Sequence, residues 1–380
     1  MKFPTNITDI SNFTDIYFTK TKDIIINSNY NATVVYGFFL RTKSIFALKP
    51  LFNWLEEVKK VNDYDYTIHT KYKEGDIVDS TQALFYLKGS LVSLLELEPL
   101  ILHQIAVCNV SALNAYQLSN AVPNTALIAM GNRACFNPIM NEYIDYGVSV
   151  GSKVAQEKNN AKGFLGTSVP NSSKFYNNSA IGTMPHVFIG LYSTTLEAAK
   201  AFYAQHTNPT LTILVDYHAQ EITDSLEVCN YFSELANVGK LLLRIDTSKE
   251  RYIEGLNKEK SLAILEEYNL LDTFNTLDLE QQEHAIGAGV SVAAIYHLRK
   301  HLDHNNFSKV QIIASSGFSI DKLQVVDMLK APVDIIGTGQ YIPNTQYTRA
   351  TADVICYNNQ YQVKQGRDFL IQQWKQLIQQ

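Results

Sequence analysis

The sequence predicts an α/β protein in which an α+β region precedes a barrel of alternating strands and helices. The chain has 380 residues and a mass of 42.8 kDa, more than one hydrophobic core usually organises, so we expect two domains or a barrel with an appendage. Apolar residues make up 46% of the chain and charged residues 18%, which excludes a disordered protein. From about residue 124, apolar strand patterns alternate with amphipathic helix patterns, which is typical of a parallel sheet with crossover helices.

The first third of the chain mixes helices and strands without regular alternation. Helical periodicity covers residues 15–26 and 45–60, and residues 31–40 form an apolar strand pattern. Another apolar helix pattern continues to about Asn114. These elements predict an α+β domain, which we place at residues 1–120.

The remainder of the chain repeats a strand, a loop and a helix. The predicted strands are TALIAM (125–130), LTILVD (211–216), KLLLRID (240–246), KVQIIAS (309–315) and VDIIG (333–337). Helical patterns such as residues 194–206 and 290–302 lie between them. Repetition over about 220 residues favours a barrel, complete or incomplete, over an open sheet. We place this barrel domain at residues 121–345.

Charge and cysteine content exclude several classes of protein. The net charge is −5 and the pI about 6.0, so we expect no nucleic-acid partner and no anionic membrane surface. Cys108, Cys135, Cys229 and Cys356 are isolated in sequence, which favours buried thiols over disulfides or a zinc site. Residues 1–10 carry polar side chains where a signal peptide needs an apolar core. Polar residues also interrupt the apolar runs, so we expect no membrane span and a cytoplasmic protein.

Polar and glycine residues follow the carboxyl ends of the five predicted strands. In chain order they are Gly131-Asn132-Arg133, Asp216, the pair Arg244 and Asp246, Ser315-Ser316-Gly317 and Gly337-Thr338-Gly339. Arg244 and Asp246 fall on the same side of their strand, because side chains alternate with a period of two. Barrel enzymes build their active sites at the carboxyl ends of parallel strands, although polar loops are common in any protein. We therefore predict a functional site at this end of the barrel.

The last two of these segments, the SSGF loop (315–318) and the GTG loop (337–339), have the composition of a phosphate site. Glycines let backbone N–H groups approach an anion, and a following helix N-terminus adds a favourable dipole. Barrel enzymes frequently bind phosphate with the loops that follow their last two strands. Either loop alone is equally compatible with an ordinary turn. Their occurrence on consecutive strands predicts a ligand that carries phosphate.

Five side chains outside these loops are candidates for chemistry. His186 begins a predicted helix within a GTMPH motif, where it is either a reactive group or a structural histidine. Arg244 and Asp246 are either an ordinary ion pair or a functional pair. In the functional interpretation, the arginine holds phosphate or carboxylate, and the aspartate holds ribose or Mg²⁺. Asp216 has a position suited to a metal ligand or a base, and Arg133 could neutralise a small carboxylate substrate.

Seven short motifs, followed by a VKQGR segment, are distributed along the chain. They are TDIYFTKTK (14–22), GTMPHVFIG (182–190), LVDY (214–217), LRIDTS (243–248), IIASSGF (312–318), VDIIGTG (333–339) and TADV (351–354), before VKQGR (363–367). In this order and spacing the chain resembles the nicotinate phosphoribosyltransferases, particularly their shorter bacterial and archaeal type. Three places differ from that family. Ser316 stands where the family has the first glycine of a pair, and His218 stands where relatives of this type often have an acidic residue. The segment MGNRACF around Arg133 lacks the doubled arginine of the longer family members.

The resemblance implies both a fold and a reaction. The implied fold is an incomplete (β/α) barrel with an α+β N-terminal domain that is completed by C-terminal strands within residues 346–380. The implied protein is a homodimer with shared active sites. In the implied reaction, nicotinate attacks the anomeric carbon of 5-phosphoribosyl-1-pyrophosphate, forming nicotinate mononucleotide and pyrophosphate for NAD salvage. Mg²⁺ is the implied cofactor and ATP the co-substrate, whose hydrolysis is coupled through a transient phosphohistidine at His186.

The resemblance also implies roles for the other candidate residues. Asp216, Arg244 and Asp246 correspond to catalytic strand ends, the last two near ribose and pyrophosphate. Arg133 would pair with the nicotinate carboxylate, and Tyr17 of the partner subunit would stack on the pyridine ring. The phosphate and substrate loops supply the remaining implied binding residues, which are Thr183, Ser315, Ser316, Gly317, Gly337, Thr338 and Gly339.

Other functions remain open at this point. A nicotinamide phosphoribosyltransferase would tolerate substitution of Arg133 better than a nicotinate enzyme. A quinolinate phosphoribosyltransferase needs no ATP and would require more cations than the few strand-end arginines here. A relative that binds phosphoribosyl pyrophosphate without turnover is a third alternative. A barrel lyase or aldolase is disfavoured, because no lysine ends a predicted strand to form a Schiff base.

Overall fold

The computed structural model of the chain describes residues 10–206, 210–343 and 349–379. Residues 1–9, on which the absence of a signal peptide was predicted, lie outside them. The described residues fold into two compact units. The first unit draws on Met1–Tyr116, Cys135–Val154 and Ile342–Gln380, and the second on Gln117–Ala134 and Ala155–Tyr341.

Helices and short strands alternate along most of the described chain. The strands are β1 (Thr33–Leu40), β2 (Ser44–Ile45), β3 (Tyr66–His69), β4 (Ile77–Val78), β5 (Ala83–Ser90), β6 (Ala126–Ala129), β7 (Phe164–Thr167), β8 (Leu211–Leu214), β9 (Leu241–Ile245), β10 (Gln311–Ala314), β11 (Ile335–Thr338), β12 (Ala350–Tyr357) and β13 (Gln360–Tyr361). The helices are α1 (Ile16–Asn27), α2 (Lys49–Asn62), α3 (Leu91–Leu94), α4 (Glu98–Ala121), α5 (Pro138–Asn159), α6 (His186–Ile189), α7 (Thr195–Gln205), α8 (Glu221–Tyr231), α9 (Ser233–Asn237), α10 (Lys258–Glu267), α11 (Leu271–Phe274), α12 (Leu279–Ile286), α13 (Val292–His304), α14 (Ile320–Met328) and α15 (Asp368–Leu377).

The first unit is built on an antiparallel sheet with the strand order β13-β12-β1-β5-β3. The side chains of β1 alternate between two cores, as a period of two requires. Val34 and Phe38 belong to the core that contains Trp54 of α2, whereas Val35 packs with Trp374 of α15. Both faces of the sheet are therefore covered. The C-terminal strands β12 and β13 complete this sheet.

The first unit also takes in residues 135–154, which the sequence prediction places in the barrel domain. These residues form most of α5, and the backbone of this helix approaches that of α4. A Cβ atom on Gly151 would lie 1.8 Å from the carbonyl oxygen of Ala112, and one on Gly147 would lie 2.4 Å from that of Cys108. Two glycines four residues apart thus give α5 a flat face that packs closely against α4.

One apolar helical stretch of the described chain, Leu91–Ala121, is long and apolar enough in composition to span a membrane. This differs from the expectation that polar residues interrupt every such run. Half of its most apolar window is buried inside the fold. Leu94, Leu97, Ile101 and Ile105 of this stretch belong to the core of the first unit. Burial in that core accounts for the apolar composition of the stretch.

The second unit contains a six-stranded parallel sheet with the order β7-β6-β11-β10-β9-β8. Except for β7 and β8, each strand lies beside its successor in the chain, and the last strand, β11, pairs with the first, β6. This is the strand order of a barrel. The ladder is interrupted between β7 and β8, so the barrel is incomplete.

The segment around Thr183 lies at this interruption. The Ile181 amide donates a hydrogen bond to the Thr167 carbonyl at the end of β7, 2.9 Å away. The Thr183 hydroxyl donates to the Thr212 carbonyl in β8. Residues 181–183 therefore bridge the two edge strands and lead the chain directly into His186.

Candidate active site

A cavity of about 740 Å³ lies at the carboxyl ends of the strands of the second unit. Eleven of the predicted site residues line it, and they are Arg133, Thr183, His186, Arg244, Asp246, Ser315, Ser316, Gly317, Gly337, Thr338 and Gly339. Asp216 does not line the cavity but is hydrogen-bonded to His186, which does. Tyr17 belongs to the first unit and is not among the lining residues. The residues predicted at the strand ends therefore lie together in the wall of one cavity.

Arg244, Asp246 and Ser315 form a closed hydrogen-bond network at one side of the cavity. The Arg244 guanidinium donates through Nη2 to Asp246 Oδ2 at 2.8 Å and through Nε to Ser315 Oγ at 2.9 Å. Ser315 Oγ in turn donates to Asp246 Oδ1 at 2.9 Å. The two charged side chains are only 17% and 13% exposed, so the network fixes their rotamers. Period-two alternation on β9 brings the pair together, and β10 supplies the serine.

His186 begins α6 and faces a buried carboxylate. Its Nε2 lies 3.1 Å from Asp216 Oδ2, and the side chains are 45% and 7% exposed. Burial raises the pKa of Asp216, while the bond to His186 acts in the opposite direction. Asp216 Oδ1 is buried and has no hydrogen-bond partner among the described residues. This pairing orients the imidazole through Nε2, so Nδ1 is the ring nitrogen that does not contact Asp216.

A second ion pair, between Glu221 and Arg251, supports Asp216. Glu221 is fully buried and pairs with Arg251 Nη2 at 2.5 Å. The same Nη2 donates to the backbone carbonyl of Asp216 at 2.8 Å. Glu221 also accepts a hydrogen bond from the Thr247 hydroxyl at 2.8 Å. Glu221 and Arg251 were not predicted from the sequence, and the only available signal was their proximity to the ends of β8 and β9.

The SSGF and GTG loops lie side by side. Thr338 Oγ1 donates to the carbonyl of Phe318 at 2.9 Å, so this predicted binding side chain joins the two loops. Gly317 has a φ of +68°, which glycine adopts without strain. The GTG loop instead needs glycine for packing, because a Cβ on Gly339 would lie 2.4 Å from the Met130 carbonyl oxygen. Each loop therefore presents mainly backbone to the cavity.

Arg133 and Tyr17 are both exposed. Arg133 lies in a short 3₁₀ turn after β6, and nothing in the described part of the chain forms an ion pair with its guanidinium. It therefore offers the cavity an uncommitted positive charge. Tyr17 lies in α1, is 58% exposed and donates a hydrogen bond to Asp15 at 3.1 Å.

The described residues contain no group of three or more His, Cys, Asp and Glu side chains placed to hold a metal ion. Two carboxylates near the cavity nevertheless suit a hard cation that shares its coordination with a phosphorylated ligand. They are Asp246, which lines the cavity, and Asp216, whose Oδ1 is unpartnered.

Comparison with known proteins identifies the fold. No protein-family model matches the chain, and no curated protein sequence matches it. Among solved structures, nicotinate-nucleotide pyrophosphorylase from Pyrococcus furiosus is similar, with a TM-score of 0.71 and 19% identity over 96% of this chain and 81% of its own. Human nicotinic acid phosphoribosyltransferase has a TM-score of 0.61 and 14% identity over 92% of this chain and 75% of its own.

Nicotinate-nucleotide pyrophosphorylase from Ehrlichia chaffeensis is similar as well, with a TM-score of 0.56 and 17% identity over 93% of this chain and 100% of its own. These likenesses extend over nearly the whole chain at low identity, so they are likenesses of fold. They confirm the predicted fold class, an incomplete (β/α) barrel with an α+β domain completed by C-terminal strands.

Proposed function

We propose that this protein is a phosphoribosyltransferase of NAD metabolism. We infer further that it converts nicotinate and phosphoribosyl pyrophosphate to nicotinate mononucleotide and pyrophosphate, with coupled ATP hydrolysis. The observation that carries the proposal is the Arg244–Ser315–Asp246 network, which adjoins the SSGF and GTG loops in one cavity. The names of the structural neighbours and the motif resemblance support the same reaction class.

The network and the loops suit the two phosphorylated ends of phosphoribosyl pyrophosphate. In our proposal, backbone N–H groups of the SSGF and GTG loops hold the 5′-phosphate. Arg244 then faces the pyrophosphate, whose negative charge grows as the bond to the anomeric carbon breaks. Asp246 orients Arg244 and accepts a hydrogen bond from a ribose hydroxyl. Mg²⁺, held by Asp246 or Asp216 together with the pyrophosphate, would neutralise charge on the leaving group.

His186 is the proposed site of ATP coupling. Its Nε2 is paired with Asp216, so Nδ1 is the nitrogen that can attack the γ-phosphorus of ATP. The N–P bond forms as the bond to the β,γ-bridging oxygen breaks, and ADP leaves. Water later hydrolyses the phosphohistidine and releases inorganic phosphate. The negative charge of Asp216 stabilises the positive charge that the imidazole gains during the attack.

The charge of the cavity favours nicotinate over quinolinate. Among the described residues that line it, the arginines are Arg133 and Arg244, and Arg244 is already paired with Asp246. One uncommitted guanidinium matches the single carboxylate of nicotinate, whereas quinolinate carries two. Nicotinamide has no carboxylate, so it forms no charged pair with Arg133.

We propose that the protein is a cytoplasmic homodimer with shared active sites. The exposed ring of Tyr17 would stack on the pyridine bound to the other subunit. The alternatives within the same fold are a nicotinamide or quinolinate enzyme, and a binding protein without turnover.

A comparison of pyridines tests the substrate assignment. Wild type and R133M are assayed for pyrophosphate release from phosphoribosyl pyrophosphate, Mg²⁺ and ATP with nicotinate, nicotinamide or quinolinate. We expect the nicotinate KM to rise about tenfold in R133M, from the loss of one charged pair worth about 1.4 kcal/mol. R41M, which removes an exposed arginine of the first unit, is the control and leaves the KM unchanged. Preference for another pyridine would refute the assignment of Arg133, and absence of turnover with all three would support the binding protein.

A further inference from the structure

The SSGF loop contains a backbone conformation that its sequence does not favour. Ser316 has a φ of +90°, and the next residue, Gly317, has a φ of +68°. Glycine adopts positive φ freely, but a residue with a Cβ is strained there. Such strain persists only where surrounding contacts hold the residue in place. Some group must therefore secure Ser316 at this point of the cavity wall.

Lys322 makes the contact that secures it. This residue lies in the first turn of α14, and its Nζ reaches back to donate a hydrogen bond to the Ser316 carbonyl at 3.0 Å. The same Nζ lies 4.3 Å from the centre of the Phe318 ring, and Phe318 is buried. A charged hydrogen bond and a cation–π contact thus act on two residues of the loop.

We propose that Lys322 is a positioning residue for phosphate binding. Its ammonium holds the Ser316 carbonyl and so keeps the Ser316–Gly317 backbone in the left-handed form that faces the cavity. This inference rests on the proposed function, because the ligand of that backbone is taken to be the 5′-phosphate of phosphoribosyl pyrophosphate.

Several observations separate this role from direct binding of the phosphate. The described residues that line the cavity include Ser316 and Gly317 but not Lys322. Its Nζ donates to the Ser316 carbonyl and lies over the Phe318 ring. Burial lowers the pKa of Lys322 to about 8, while the charge of Asp246 acts in the opposite direction, so the amine remains mostly protonated at pH 7.

Both ends of the loop are fixed independently of Lys322. Ser315 is held by Arg244 and Asp246, and the Phe318 carbonyl accepts a hydrogen bond from Thr338. Loss of the Lys322 contact should therefore release Ser316 and Gly317 locally without unfolding the loop. The expected consequence is weaker binding of phosphate, not loss of the fold.

The chain offers a matched control in Lys260. This lysine has the same position in the first turn of α10, and its backbone N–H is capped by the Asn257 side chain as that of Lys322 is by Ser319. Its Nζ also donates to a loop carbonyl, that of Gly255, at 3.0 Å. Gly255 has a φ of +81°, which glycine needs no lysine to maintain. Lys260 does not line the cavity.

The test compares K322M, S316G, the double variant S316G/K322M and K260M. Calorimetry gives the Kd for phosphoribosyl pyrophosphate with Mg²⁺. Urea denaturation without ligand gives the equilibrium constant for unfolding. We expect K322M to raise the Kd about tenfold, which corresponds to about 1.4 kcal/mol. The double variant should bind within about twofold of S316G, because glycine needs no lysine to adopt positive φ. K260M should leave the Kd within about twofold of wild type.

Two binding results would overturn the proposal. An unchanged Kd in K322M would mean that Lys322 does not position the loop. A raised Kd that S316G fails to restore would mean that the charge of Lys322 acts on the ligand directly. If K322M does not fold, K322R and the double variant replace it: a Kd for K322R near that of wild type supports the proposal, and one as weak as expected for K322M contradicts it.

Failure of the proposed function is recognised separately. If wild type does not bind phosphoribosyl pyrophosphate, the function is wrong, and ligand-free urea denaturation then decides the role of Lys322. The proposal requires that K322M raise the equilibrium constant for unfolding about fivefold more in the wild-type background than in the S316G background. Equal effects in both backgrounds would overturn it.

Discussion

The pairing of His186 with Asp216 predicts opposite effects of one substitution on chemistry and on stability. D216N keeps the shape of the side chain but removes its charge. The amide can no longer stabilise a positive imidazole, and its NH₂ group can donate to Nε2 and so favour the wrong tautomer. We expect slower phosphorylation of His186 by ATP in a protein that is folded normally.

The size of the effect on rate follows from the exposure of the pair. A hydrogen bond to a charged group contributes about 1.5–3 kcal/mol, and the 45% exposure of the His186 side chain favours the lower end. A loss of about 1.4 kcal/mol in the transition state corresponds to a rate about tenfold lower.

Stability should change in the other direction. Burial raises the pKa of Asp216, so its ionised form destabilises the native state above the native pKa. The wild-type protein therefore gains stability as the pH falls through that pKa, whereas D216N lacks this gain. At neutral pH, the free energy of unfolding of D216N should equal or exceed that of wild type.

The assay is single-turnover transfer of label from [γ-³²P]ATP to the protein, with urea denaturation measured in parallel. D224N is the control, because Asp224 is also buried with a raised pKa but is hydrogen-bonded to Thr195 and not to His186. We expect D224N to label at the wild-type rate. Unchanged labelling in D216N, or an unfolding free energy of D216N below that of wild type at neutral pH, would refute the reasoning.

Two further predictions concern the support of the cavity. E221A should lose about 1–3 kcal/mol of unfolding free energy, because the partly exposed Arg251 guanidinium loses its ion-pair partner and the Thr247 hydroxyl loses its acceptor. E227A, which removes an exposed carboxylate, should lose less than about 0.5 kcal/mol. Equal losses in urea denaturation would contradict this. G339A should lose about 1–3 kcal/mol and weaken binding of phosphoribosyl pyrophosphate, because the new Cβ would lie 2.4 Å from the Met130 carbonyl oxygen. A G339A protein as stable as wild type would show that this contact relaxes freely.

Most of the barrel could be predicted because its strands are apolar and end in polar or glycine residues. β7, with the sequence FLGT, has no counterpart among the predicted strands. The predicted boundary near residue 121 does not anticipate that residues 135–154, most of α5, group with the first unit. This grouping depends on the close packing of Gly147 and Gly151 of α5 against α4. The sequence does not show which helix lies beside α5, so this packing could not be predicted.

The strand-end residues of the cavity could be predicted for the same reason, since parallel strands bring their carboxyl ends together. Period-two alternation also places Arg244 and Asp246 on one side of β9. Their bridge through Ser315 could not be predicted, because it depends on β9 and β10 being neighbours. The contact of Lys322 with Ser316 was hidden for a related reason, since it depends on backbone angles that the sequence does not specify.

The most direct test of the account is ATP dependence of nicotinate mononucleotide formation. Purified protein is given nicotinate, phosphoribosyl pyrophosphate and Mg²⁺, with and without ATP, and nicotinate mononucleotide and ADP are quantified for wild type and H186A. We predict that ATP accelerates the wild-type reaction, with ADP formed alongside nicotinate mononucleotide, and that H186A loses the acceleration. Equal rates with and without ATP in wild type, or acceleration that persists in H186A, would contradict the account.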